Sequence, residues 1–299
     1  MGWLNYHHLH YFWLAAREGT VTAASEQLGL AQSTVSTQIR ALEEALGEKL
    51  FRREGRRLVL TDVGDVVYRY ADEIFSLGRE LLDTVHQRPT RRPRRFRVGI
   101  ADVLPKLVAH RLLEPALQLE PPVLLTCLEG KPDQLVAELA LHRLDLVLAD
   151  TPISPGLAVK AFSHLLGESG VTFFGSPDLA RKARRGFPDS LADTPLLLPT
   201  EGTAMRRSLD QWFEERQIRP PVVCEFEDGA LLKVFGKAGL GLFPAPSVIE
   251  EEICQQYRVR PVGQLAEVSE CFFAISVERR LKHPAVVAIS EAARTRLFG

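Results

Sequence analysis

Sulfur is scarce in this chain, whose 299 residues include four Cys and two Met. Cys127, Cys224, Cys254 and Cys271 are scattered without CxxC spacing. This excludes a local zinc or dithiol motif and fits reduced thiols in a cytoplasmic protein. Long apolar runs are missing too, and the N-terminus lacks the basic start and apolar core of a secretion signal. A soluble protein with no membrane partner is expected. Nucleotide and hydrolase signatures are absent: there is no GKS or GKT, no GxSxG, and GKAGLG at 236–241 is not GxGxxG. Neither an enzyme, nor catalytic residues, nor a covalent cofactor is expected. His7, His8 and His10 have no Cys or carboxylate nearby in sequence to complete a site, so no metal site is expected there.

Net charge is also nearly absent, at −1 overall, but it is unevenly spread. Residues 1–97 hold fifteen Lys and Arg against twelve Asp and Glu; the remainder holds twenty-two against twenty-six. A polyanion would meet the front of the chain. The length suits two domains.

Residues 22–46, TAASEQLGLAQSTVSTQIRALEEAL, predict two short amphipathic helices joined at Gly29. The first puts Ala23, Ala24 and Leu28 on one face; the second buries Val35, Ile39, Leu42 and Leu46. The outer face of the second helix carries Gln32, Ser33, Thr34, Ser36, Thr37, Gln38 and Arg40. A face meant only for water is usually rich in Lys and Glu. Hydroxyls and amides instead donate and accept at base edges in a major groove. The pattern is a helix-turn-helix with 32–46 as recognition helix; an ordinary helical hairpin is the alternative. Gln32, Ser33 and Gln38 are the candidates for bases, and Ser36 for a phosphate.

Flanking segments favour the DNA reading. EKLFRREGRRLVL predicts a two-stranded wing in which Arg52, Arg53, Arg56 and Arg57 bracket Gly55, suited to flanking phosphates. Upstream, residues 4–18 supply a helix with Leu9, Phe12, Trp13 and Ala16 inward. From Thr61 a long helix carries Val63, Val67, Tyr70, Ile74, Leu77 and Leu81 at alternating spacings of 4 and 3, the repeat of a coiled coil. It is read as a dimerisation element, with packing against the chain's own C-terminal domain as the alternative. RPTRRPRR (88–95), with two prolines and five arginines, then forms a solvated hinge.

These residues resemble the LysR-type transcriptional regulators, through Ala23, Ala24, Leu28, Gln32, Ser33, Val35, Ser36, Gln38, Ile39, Leu42, Glu43, Gly47, Leu50, Phe51, Arg52, Leu60, Thr61 and Gly64. Two positions depart from the family pattern. Ala31 stands where a capping Thr is common, and Thr37 where Arg or Lys is frequent. Within the family, NYHHLHYFWLAAREGTV, VVYRYADEIFSLGRELLD and FEDGALLKVFG resemble the NhaR branch, sodium-responsive regulators of sodium/proton antiporter genes. The resemblance implies a winged helix-turn-helix at 1–60, a linker helix at 61–87, a hinge at 88–95 and an effector domain at 96–299. It also implies that the effector domain has a periplasmic-binding-protein-like α/β fold. Subdomain I would take about 96–166 and 269–299, subdomain II about 167–268. Implied partners are double-stranded DNA bearing an inverted repeat, further copies of the chain as a dimer or tetramer, and RNA polymerase.

After Phe96 the residues themselves read as alternating strands and helices: FRVGIA, VLLTCLE, LDLVLAD, PLLLP, VVCEF, GLGLF and CFFAISV, with helices at 105–119, 132–141, 203–217 and 228–238. Such alternation predicts parallel sheets. Ligands in open α/β sheets bind beyond the carboxyl ends of strands. The candidates there are Ala101, Asp102, Glu129, Asp150, Thr200, Thr203, Glu227, Asp228 and Phe243. Five are carboxylates, each explicable singly as a helix cap. Together on one cleft they would repel one another unless a cation sat between them. A cation or cationic effector such as Na⁺ is therefore expected. The competing reading is a cytosolic solute-binding protein or enzyme whose DNA-binding head does not read sequence.

Overall fold

The computed structural model describes residues 3–54, 57–85, 94–154, 159–278 and 283–299, with the backbone alone for 53, 54, 57, 80, 83, 84, 94 and 266. The chain divides into two compact units, Met1–Arg91 and Arg92–Gly299.

In the first unit, Asn5 caps α1 (Tyr6–Glu18) by accepting from the amides of His7 and His8. Thr20 does the same for α2 (Val21–Leu28) through the Ala23 amide at 3.2 Å. Gly29, at φ +65°, then turns the chain into α3 (Gln32–Leu46). A side chain at that backbone angle would be strained, so glycine suits the turn. Leu9, Phe12, Trp13, Ala24, Val35, Ile39 and Leu42 form one core. The stripe on α3 ends a turn earlier than its spacing predicts. Leu46 is 40% exposed, and the fully buried Leu50 supplies the next core side chain.

The strands β1 (Phe51–Glu54) and β2 (Arg57–Leu60) pair antiparallel, Phe51 opposite Leu60. Gly55 and Arg56 at the tip lie outside the described residues, as do the side chains of Arg53 and Arg57. Helix α4 (Asp62–Val85) follows at once. The Thr61 hydroxyl donates to the Lys49 carbonyl at 2.6 Å and accepts from the Gly64 amide at 2.9 Å. Gly64 is needed because any Cβ there would overlap the Leu50 carbonyl.

The six-residue stripe of α4 does not form one open surface. Val67 and Ile74, with Tyr68, Ala71 and Phe75, pack against the first unit's own core. Trp13 Nε1 donates to Asp72 Oδ1 at 3.0 Å, fixing α1 against α4. Leaving the wing directly, α4 spends its first half beside α1, so its inward residues are taken up locally. Farther along, Leu77, Leu81, Leu82 and Val85 are exposed, at 57% or more. Residues 86–93, most of the expected hinge, lie outside the described residues.

The second unit runs β3 (Arg94–Ala101), α5 (Lys106–Leu117), β4 (Val123–Gly130), α6 (Pro132–Ala140), β5 (Leu146–Ala149) and β6 (Phe162–Gly175). It continues with α7 (Pro177–Arg184), β7 (Leu196–Pro199), α8 (Ala204–Glu215), β8 (Val222–Phe226), α9 (Gly229–Lys237) and β9 (Phe243–Pro246). Helix α10 (Glu250–Tyr257), β10 (Arg260–Ser276) and α11 (Pro284–Ala292) complete it. One sheet has the order β4-β3-β5-β10-β6-β9, and β7 pairs with β8 in a second, bridged to the first through Leu196 and Leu242. The expectation of parallel sheets holds for β3 with β4 and β5, and for β7 with β8. It fails for β10 and β6, two long strands that run antiparallel to each other, and for β9, which is antiparallel to β6. Two apolar cores result. The larger joins Phe96, Leu112, Leu146 and Ile289, and the smaller gathers Phe173, Leu191, Leu209 and Trp212. Among the described residues no helix is long and apolar enough to cross a membrane.

Candidate nucleic-acid interface and ligand cleft

Helix α3 turns Gln32, Ser33, Thr34, Thr37 and Arg40 outward and leaves Ser36 and Gln38 half-buried, while Val35, Ile39 and Leu42 beneath them are buried. Ala31 makes no side-chain cap bond, and its carbonyl accepts from the amides of Thr34 and Val35. Thr37 donates its hydroxyl proton to the Ser33 carbonyl at 2.8 Å. What it offers outward is therefore an acceptor and a methyl group, not a donor. Arg52 is exposed on β1.

Glu43, which the family resemblance includes without assigning it a contact, holds this surface together. Glu43, on the inward side of α3, is 93% buried at the junction with the wing. Its Oε1 accepts from the amides of Leu50 at 2.9 Å and Phe51 at 3.4 Å, and its Oε2 meets Lys49 Nζ at 2.6 Å. Burial pushes the carboxyl up, but the Lys49 hydrogen bond, the two amides and the Lys49 charge outweigh it, and the net displacement is downward. Four residues after Ile39, it falls on the apolar face, where an acid needs partners. That mismatch was the available signal.

His10 lies between Trp13, at 5.7 Å, and Phe75, at 4.9 Å. Burial first, then the charges of His7, Arg17 and Arg79, push its imidazole down. Arg17 and Arg79 both lie over the Trp13 ring, at 4.5 and 5.1 Å.

In the second unit the strand ends do bring carboxylates together, but lysines accompany them. Lys131 Nζ, at the start of α6, bridges Asp102 Oδ2 at 2.9 Å and Glu227 Oε1. Lys106 pairs with Glu129 at 2.6 Å. Asp228 caps α9, accepting from the amides of Ala230 and Leu231. The five acids therefore do not all depend on a foreign cation, as expected above: two of the chain's own ammonium groups pair with three of them at the rim. Ala101 and Phe243 are fully buried and belong to the core, not to a cleft wall. Phe243 was misplaced because GLGLF reads as a strand ending there. Gly239 instead turns at φ +82°, and β9 begins at Phe243, which stacks on Phe174 at 5.7 Å. Thr203 caps α8 through the Arg206 amide at 3.2 Å, and the Thr200 amide donates to the Phe226 carbonyl at 3.0 Å.

Beneath the rim sits a buried cluster of titratable groups, of which only Asp150 stands at a strand end legible in the sequence. Asp150, Lys233 and Glu270 are 7%, 8% and 5% exposed. Lys233 Nζ donates to the Gly229 carbonyl at 3.0 Å. Glu270 Oε2 and Asp102 Oδ1 are buried without a hydrogen-bond partner. Burial, then the charge of Asp150, pushes the Glu270 carboxyl up to about 8, with Lys233 opposing. Burial dominates at Asp150, whose carboxyl is raised, and at Lys233, whose ammonium is pushed down. Register explains the meeting: β10 pairs antiparallel with β5, Phe273 opposite Ala149, so Glu270 and Asp150 leave the sheet close together. Among the described residues no three His, Cys, Asp or Glu side chains are placed to share a metal ion.

Comparison with known proteins agrees with this arrangement. Residues 6–65 match the family model described as bacterial regulatory helix-turn-helix protein, lysR family, and residues 90–297 match LysR substrate binding domain. The chain is 37% identical over 298 residues to the transcriptional activator protein NhaR of Escherichia coli K12, covering 100% of this chain and 98% of that protein. Among solved structures, ArgP from Mycobacterium tuberculosis aligns with a TM-score of 0.61 at 18% identity, over 97% of both chains. An OxyR C206 mutant of Corynebacterium glutamicum aligns with a TM-score of 0.60 at 16% identity, over 98% of this chain and 93% of that one. With both units matched, the chain belongs to the LysR family of bacterial transcriptional regulators, a helix-turn-helix head joined to a ligand-binding domain.

Proposed function

We propose that this chain is a cytoplasmic transcriptional activator of the NhaR kind, acting on genes for cation/proton antiport. The supporting likeness is the full-length match to a protein named a transcriptional activator. In this reading 1–60 bind DNA, 61–87 join two copies and 96–299 sense the effector, with subdomains at 96–166 with 269–299 and at 167–268; the hinge, expected at 88–95, ends before Arg94 and Arg95, which already belong to β3.

One observation carries the DNA reading: a face of small polar side chains exposed on α3 above buried Val35, Ile39 and Leu42. Gln32, Ser33 and Gln38 read base edges, while Thr34, Ser36, Thr37, Arg40 and the wing arginines 52, 53, 56 and 57 position the duplex. The uncapped first turn of α3 leaves amide donors for a phosphate. Two copies joined through the free end of α4, at Leu77 and Leu81, present two such helices to an inverted repeat. RNA polymerase is the further partner an activator requires.

The effector is a small cationic ligand, Na⁺ among those to be tested, bound at Asp102, Asp150 and Glu227, with Thr200 and Thr203 on the facing side and Glu270 and Lys233 as the floor. Binding at the rim requires Lys131 to leave Asp102 and Glu227, which lie in different proposed subdomains. A ligand that replaces Lys131 thus changes what ties the two together, and it shifts the equilibrium only by its differential affinity for the two arrangements.

Mobility-shift assays with duplexes selected by the wild-type chain test the first half. Gln32→Ala should relax base preference at one position by about 1–3 kcal/mol; unchanged preference would refute base reading by Gln32. Calorimetry of the full chain with Na⁺ replacing K⁺ at constant ionic strength, and with small amines, tests the second. Tight binding of an anionic metabolite in place of any cation would refute it.

A further inference from the structure

The second unit holds an excess of acids, yet two of its basic runs lie side by side. Residues 181–185 read RKARR and 258–260 read RVR, and every basic side chain in both runs is exposed. Three of them, Arg181, Arg184 and Arg185 on and just after α7, lie at helical spacing on one face. With Arg260 at the start of β10, Pro177 and Ala180, they line an open surface pocket of about 480 Å³. Arg181 is held by Asp178 Oδ1 at 2.7 Å, and Arg184 donates to the Pro261 carbonyl. Neither Arg185 nor Arg260 has a carboxylate partner among the described residues.

Like charges crowded together repel, so such a cluster costs stability unless an anion meets it. The choice of arginine adds chemistry: a guanidinium fork fits phosphate oxygens two at a time. The pocket has no aromatic lining on which a nucleobase could stack, and its apolar wall is only Pro177 and Ala180. That favours a phosphodiester chain over a nucleotide, and over a protein partner, whose affinity needs buried apolar or aromatic anchors.

We propose that the Arg181–Arg184–Arg185–Arg260 pocket binds backbone phosphates of duplex DNA outside the segment read by α3. The ligand-binding domain then contributes directly to the length of DNA the regulator holds.

The test uses the full chain and two duplexes carrying the same selected site, one trimmed to the inverted repeat and one extended on both flanks. Affinity is measured against salt for wild type, the Arg185→Ala/Arg260→Ala double variant, and Lys237→Ala as a control on a different helix. Each phosphate contact adds about 0.9 to the slope of log affinity against log salt. The double variant should therefore lose about 2 units of slope per contacting subunit on the long duplex and none on the short one, with Lys237→Ala matching wild type. Equal slopes for double variant and wild type on the long duplex would overturn the proposal. So would an equal loss on both duplexes, or the same loss with Lys237→Ala, since either marks a general charge effect. Inorganic pyrophosphate is the second probe. Wild type binding it, the double variant not, and all DNA slopes unchanged would make this a free-anion site and overturn the DNA assignment.

Discussion

Glu43→Ala should loosen the wing from the recognition helix without touching any residue assigned to DNA. In the native chain one carboxylate serves the amides of Leu50 and Phe51 and the ammonium of Lys49. Leu50 is fully buried, so its amide would lose its acceptor where water does not reach. A buried donor left unsatisfied costs about 1–3 kcal/mol. The Lys49 pair adds little, because the Lys49 side chain is 74% exposed and solvent screens it. The expected total is about 2 kcal/mol, or roughly 30-fold in the local opening equilibrium. Hydrogen exchange of peptides spanning 47–61 reads this directly, and those peptides should exchange about 30-fold faster in the variant. Glu43→Gln retains an oxygen for the amides and loses only the acceptor for Lys49, so it should fall well short of that. The pH sign follows from the lowered carboxyl. Its contribution is fully present above the ordinary carboxylate range and is lost as pH falls through the lower folded value. Exchange rates of the 47–61 peptides that are alike in wild type and Glu43→Ala would refute the reasoning, as would Gln costing as much as Ala.

Gly64→Ala should destabilise the first unit by about 1–3 kcal/mol, because the new Cβ overlaps the Leu50 carbonyl; a melting temperature equal to wild type would contradict this. Leu81→Glu should weaken self-association while leaving the fold intact, since Leu81 is 63% exposed; sedimentation that does not depend on the substitution would remove α4 from the interface. Glu270→Gln should flatten the pH dependence of stability between the ordinary carboxylate range and about 8. In that window the folded chain keeps a proton that the unfolded chain releases, so wild-type stability falls as pH rises, and chemical denaturation across pH shows whether the slope disappears. Lys131→Ala removes the ammonium between Asp102 and Glu227 and should raise affinity for the cationic effector severalfold, as read by calorimetry; weaker binding would mean that Lys131 belongs to the ligand contacts.

The head was legible because its signals are local. Helix periodicity over 6–46, a glycine turn at Gly29 and the apolar anchors of the wing all act within a few residues. Even so, the spacing on α4 predicts a stripe facing a partner chain, whereas Val67 and Ile74 pack against the chain's own core. Spacing tells which residues share a face, and it does not tell what covers that face. In the second unit the runs FRVGIA and LDLVLAD are readable as strands, since buried parallel strands are nearly continuous apolar runs. Strand β6, with FSHLLGESGVTFFG, mixes polar and apolar residues because much of its length is half-exposed, and no period marked it.

From its sequence alone, then, this chain could be assigned a helix-turn-helix, a two-stranded wing, a long linker helix and an α/β domain, each written in contiguous residues whose spacing sets which side chains share a face. Only the tertiary structure decided what neutralises the cleft. Lys131 reaches Glu227 across ninety-six positions, and Glu270 comes beside Asp150 through the antiparallel pairing of β10 with β5. Charge pairing depends on distance in space, and strand order, which local periodicity does not encode, sets that distance.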